Sequence, residues 1–147
     1  MKNTSTALIE VLLKTIDKVG IKKTIEVLEI SHSSSNDVLV LQGLIILNTC
    51  QAFNITEHTL LKGRKNIANR TNAIGACAVL LKKMCRYSQR EISIILKKEP
   101  SNINKYLKKF ENLDNTFKSD IDIMHKIDSI ENETMRYYEV NKTQNNG

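Results

Sequence analysis

Tryptophan is absent from this 147-residue chain, proline occurs once, glycine five times, and aromatic residues make up only 5%. So few chain-breaking and ring residues exclude the turn-rich alternation of a sandwich or barrel, and no strand-like alternation persists. The expectation is an all-α fold, with 41% apolar residues to fill one core. No apolar run approaches the roughly 20 residues that cross a bilayer. The opening MKNTST leads into an amphipathic segment carrying Glu10, Lys14, Asp17 and Lys18, not the uncharged stretch of a secretory leader. A cytoplasmic protein with no membrane partner is expected, in a bacterial cytoplasm or a phage-infected cell.

Chemistry-bearing clusters are also missing. Cys50, Cys77 and Cys85 form no C-x-x-C pair, and each sits on an apolar helical stretch as a small buried thiol. His32, His58 and His125 lie far apart without metal-ligand spacing. No G-x-x-x-x-G-K-[ST] loop occurs, which excludes a phosphate-cradling ATPase module. Asp120, Asp122 and Asp128 share one late helix and read as a solvated acidic face. No nucleophile is paired with a base, so no enzyme, metal or cofactor is expected.

The most informative scarcity is local. Between Lys62 and Lys109 stand thirteen of the chain's 22 basic residues but only two of its 16 acidic ones, Glu91 and Glu99. That stretch carries +11, which leaves −5 for the remainder. A charge asymmetry of this size points to a phosphate backbone as partner.

The chain divides into three parts. Residues 1–36 read as an N-terminal helical hairpin, Ser5 to Leu28, with a Ser-rich linker at 31–36. Its first helix carries the stripe Leu8, Ile9, Leu12, Leu13, Ile16 and Val19, with Gly20 as left-handed terminator. Residues 37–132 form the main domain. There, Asp37 to Phe53 is apolar almost all round and belongs inside a core. Thr56 caps a short helix to Leu61, a basic loop follows from Lys62, and a long helix runs from about Thr71 to Arg86. Ala73, Gly75, Ala76 and Ala78 on that helix permit close crossing. A last helix spans about Phe117 to Ile130, and residues 133–147 read as a flexible polar tail.

Ser88 to Phe110 spells a helix-turn-helix. Ser88 and Glu91 make a capping box ahead of Ile92, Ile95 and Leu96. Lys97-Lys98-Glu99 is the turn, and Pro100 suits the first position of the next helix. Ile103, Tyr106, Leu107 and Phe110 fall on one stripe. The other face carries Ser101, Lys105, Lys108 and Asn112, flanked by Asn102, Asn104 and Lys109, with no acid between Pro100 and Phe110. A merely solvated helix face intersperses both signs. Glycine is usual at the left-handed turn position where Lys97 stands.

From Asp37 to Ile130, nearly two-thirds of the chain, the order of these parts resembles domain IV of the bacterial chromosomal replication initiator DnaA. The resemblance rests on Phe53-Asn54-Ile55-Thr56, Leu60-Leu61-Lys62-Gly63-Arg64-Lys65, the long helix and Ser88-x-x-Glu91-Ile92. It implies a Trp-repressor-like helix-turn-helix whose second helix enters the major groove, and a basic loop on phosphates and the minor groove. Carried over by position, Lys62, Arg64 and Lys65 are loop contacts, with Arg70 a flanking candidate. The family's Asp-His-Ser/Thr-Ser/Thr-Val signature falls on Glu99-Pro100-Ser101-Asn102-Ile103, so the histidine and one hydroxyl are replaced. Leu96-Lys97-Lys98 stands where the family has Gly-Gly-Arg. The base-reading set has therefore changed, and the family's ATPase has no counterpart here.

Double-stranded DNA is thus the expected partner, in replication or transcription control. Lys62, Arg64, Lys65, Arg70, Lys97, Lys98, Lys105, Lys108 and Lys109 are expected at phosphates; Ser101, Asn102, Asn104 and Lys105 are expected at base edges. The alternative is a helical adaptor, or a small subunit of a DNA-processing or packaging complex. In either case the N-terminal hairpin could meet a second copy or a protein partner.

Overall fold

The computed structural model describes residues 37–64, 67 and 69–146, together with Leu13, Lys14, Asp17 and Gly20. Six helices run through the continuous part: α1 (Asp37–Phe53), α2 (Glu57–Lys62), α3 (Arg70–Cys85), α4 (Gln89–Leu96), α5 (Pro100–Glu111) and α6 (Lys118–Asn146). The all-α expectation holds. Most of the N-terminal hairpin, the linker and Lys65 lie outside the described residues. Within the hairpin, Leu13 is helical but exposed, and Gly20 takes a φ of +88°.

Each short helix starts where the chain offers a cap. Thr56 Oγ1 accepts the Thr59 N–H at 3.0 Å and opens α2. At the far end of α2, Gly63 N–H returns to Thr59 O at 2.9 Å. A side chain at Gly63 would overlap that carbonyl, so the close approach demands glycine.

Helix α3 is the hub, and α1, α2, α4, α5 and α6 all pack on it. Its run of small residues explains why: Ala73, Gly75, Ala76 and Ala78 are buried and let neighbouring backbones come close. Gly75 lies directly beneath the Phe110 ring of α5. The buried thiols Cys50, Cys77 and Cys85 join the same core. Burial pushes the Cys85 thiol up to about 11 and Cys77 further, so neither is ionised near neutrality.

Helix α1 is apolar all round because it is covered on two sides. Leu41, Ile45, Cys50 and Phe53 enter the main core, whereas Val40, Leu44 and Leu47 form a second cluster with Tyr137 of α6. This second cover corrects one expectation. The last helix does not stop at Ile130: α6 runs 29 residues to Asn146, so residues 133–146, expected as part of a flexible tail, are helical. Ile130, Thr134 and Tyr137, spaced four and three apart, are buried. Asn48 Nδ2 donates to Thr134 Oγ1 at 2.9 Å, which satisfies both groups between α1 and α6. Polar composition suggested disorder, but one apolar stripe at helical spacing sufficed to dock the segment.

Candidate nucleic-acid interface

Helix α4, the three-residue turn and α5 form where the sequence places them. Ser88 Oγ accepts from Glu91 N–H and Glu91 Oε1 accepts from Ser88 N–H, both at 3.1 Å, completing the capping box. Lys97 ends α4 in the left-handed region, φ 55° and ψ 47°, and its N–H returns to Ser93 O. Lys98 N–H reaches the same carbonyl at 3.0 Å. Ser93 is buried at the crossing and its hydroxyl donates to Arg90 O at 2.6 Å, so no polar group is stranded there.

A non-glycine left-handed residue costs about 1 kcal/mol. Lys97→Gly should therefore raise unfolding stability by about that amount in a urea titration. An unchanged midpoint would show that the turn is not strained.

One clamp was not anticipated from sequence. Gln89 Nε2 donates to Pro100 O at 2.6 Å and ties the first turn of α4 to the first turn of α5. Its only sequence signal is a glutamine directly after the cap residue. The bond sets the angle at which the head of α5 is presented.

On α5, Ile103, Leu107 and Phe110 are buried and Tyr106 is half-buried, as the stripe predicted. The outward side holds two rows. Asn102, Lys105 and Lys109 form one, and Ser101, Asn104 and Lys108 the other; all are exposed except the half-buried Asn104. Between the first row and the head of α3 lies an open cleft of about 370 Å³. Arg70, Lys98, Lys105 and Lys109 line it with Thr71, Asn102 and Tyr106, and no acidic residue does. Five of the expected site residues thus converge: Arg70, Lys98, Asn102, Lys105 and Lys109. Thr71 and Tyr106 were not foreseen as lining residues.

Arg70, the flanking candidate, lies within a helix and not in the loop. It is the first residue of α3, only 4% exposed, and its Nε donates to Thr59 O at 2.8 Å. No carboxylate pairs with it among the described residues. The head of α3 also has no acidic first-turn residue and no side-chain cap, because Asn69 turns its amide to Phe53 O at 3.3 Å. The guanidinium is held by the carbonyl end of α2, whose last turn supplies Thr59 O, and it adds a positive charge beside the head of α3.

Lys62 and Arg64 are exposed at the α2–α3 connection, outside this cleft; Lys97 is exposed on the turn. Arg86 and Arg90 add exposed charge beside α4. Among the described residues, Lys82 pairs with Glu111 at 2.7 Å and Lys83 with Glu131 at 2.6 Å. The basic surface is therefore narrower than the charge count implies. Among the described residues no group of His, Cys, Asp and Glu is placed to hold a metal ion, and no helix is long and apolar enough to cross a membrane. No protein-family model, curated protein or solved structure matches the chain.

Proposed function

We propose that this protein binds double-stranded DNA, with α4 and α5 acting as a helix-turn-helix and α5 as the recognition helix in the major groove. One observation carries the reading. The outward face of α5 joins short hydrogen-bonding side chains to lysines, and it continues into a cleft lined by four basic residues and no acid. A rod about 10–12 Å across, with its polar row exposed and its apolar row anchored on α3, matches the major groove in width.

Lys97, Lys98, Lys105, Lys108 and Lys109 neutralise phosphates around the helix, and Lys62 and Arg64 do so from the α2–α3 connection, where Lys65 also belongs in sequence. Ser101, Asn102 and Asn104 reach base edges, since an asparagine amide matches adenine N6 and N7. The resemblance to the initiator's DNA-binding domain supports the same arrangement, and replication or transcription control is the role it suggests.

Selection of bound sites from random duplex DNA at about 150 mM salt tests this directly. With about six phosphate contacts, log K should fall against log[salt] with a slope near −5, at about 0.9 per contact. A slope near zero removes the reading. Within a bound complex, Asn102→Ala should relax sequence preference at one position by about 1–3 kcal/mol, whereas Lys108→Ala should weaken all sequences alike. Equal losses from both variants would reverse the division of labour between the two residues.

A further inference from the structure

The cleft between α3 and α5 holds more than a duplex backbone needs. A phosphate would use only its cations, yet half-buried Tyr106 and exposed Asn102 line it too. Its volume of about 370 Å³ is at the low end for small-molecule sites, which suits one nucleotide and not two. Arg70 is nine-tenths buried at this cleft, held by its Nε on Thr59 O at 2.8 Å and in no ion pair among the described residues, so its positive charge is fixed in place at the head of α3.

From this juxtaposition we infer that the cleft is a binding site for a single nucleoside phosphate. The phosphate sits at the head of α3, where Arg70 and Thr71 meet Lys98, Lys105 and Lys109. The base lies against Tyr106, with its hydrogen-bonding edge at Asn102. Aromatic stacking tolerates any base because every base has a π face, so the ligand class is nucleotide, not one particular base. This goes beyond duplex binding, and the two ligands share Lys98, Asn102, Lys105 and Lys109. A free mononucleotide therefore competes with DNA for α5.

The test uses the full chain in amide NMR titrations with AMP, ribose 5-phosphate and inorganic phosphate. AMP should shift the amides of Thr71, Asn102 and Tyr106 and bind about tenfold more tightly than ribose 5-phosphate, the fold expected for one stacked base. Tyr106→Leu should bring AMP down to the level of ribose 5-phosphate. Asn102→Ala, at an exposed position, should narrow the same gap without risk to the core. Lys109→Gln should weaken all three ligands.

Equal binding of AMP and ribose 5-phosphate, or shifts confined to other surfaces, would overturn the inference. The sources of the nucleotide are separated by adding duplex. Displacement of AMP supports a shared site. AMP bound in a protein that ignores duplex removes the DNA reading and leaves the nucleotide site standing. Duplex binding with no response to AMP does the opposite.

Discussion

Gly75→Val is expected to lower the stability of the protein by about 3 kcal/mol and to loosen α5 before the rest of the fold. Glycine inside a helix is ordinarily a defect, and a larger residue would regain about 1 kcal/mol of helix propensity. Here the sign reverses. A Cβ at Gly75 would overlap three atoms of the Phe110 ring, which is buried on α5. Overpacking a filled core costs about 1–3 kcal/mol, and a branched side chain falls at the upper end. The ring must shift, and α5 must shift with it. Urea denaturation followed by circular dichroism reads the loss. Pairing the change with Phe110→Leu should recover a measurable part of it, because the two residues share one contact. A midpoint equal to that of the unaltered protein would mean that α5 does not rest on α3 at this point.

The second large effect concerns charge placement. Lys105→Gln, Lys108→Gln and Lys109→Gln combined should weaken duplex binding about 500-fold at about 0.1 M salt and make the salt slope shallower by about 3. The fold should tolerate the change, since all three side chains are exposed. The control is Lys82→Gln with Lys83→Gln. These lysines sit in the same basic stretch, but they pair with Glu111 and Glu131. Exposed pairs of this kind contribute little to stability, and the control should leave the salt slope unchanged. If the two sets of variants lose affinity in proportion to the charges removed, binding is a bulk effect of net charge and the surface of α5 has no special part in it.

Local chemistry made much of this legible in advance. A capping box, a proline at a helix start and a stripe spaced by three and four residues each act within a few residues, so Ser88, Glu91, Pro100, Ile103 and Phe110 announced α4 and α5 without tertiary information. What stayed hidden depends on partners distant in sequence. The second half of α6 is polar in composition, and its docking depends on α1, some 90 residues earlier, presenting Val40, Leu44 and Leu47 to Tyr137. The clue was on α1 itself: a helix apolar all round needs cover on more than one side. Arg70 looked like any other loop cation, because nothing in its neighbours reveals that its Nε will meet the last turn of α2. Tyr106 was placed correctly on the packing stripe, but at the edge of that stripe it is only half-buried and also lines the cleft.

The lopsided charge has a kinetic consequence. A surface with exposed Lys105, Lys108 and Lys109 on α5 beside a cleft lined by Arg70 and Lys98 exerts a torque on the protein as it nears a polyanion. Its encounters are sorted by orientation before any atom touches, and the cationic side arrives first. Added salt shortens the reach of that torque, to about 10 Å at 0.1 M and about 3 Å at 1 M. It should therefore slow arrival sooner than it hastens departure.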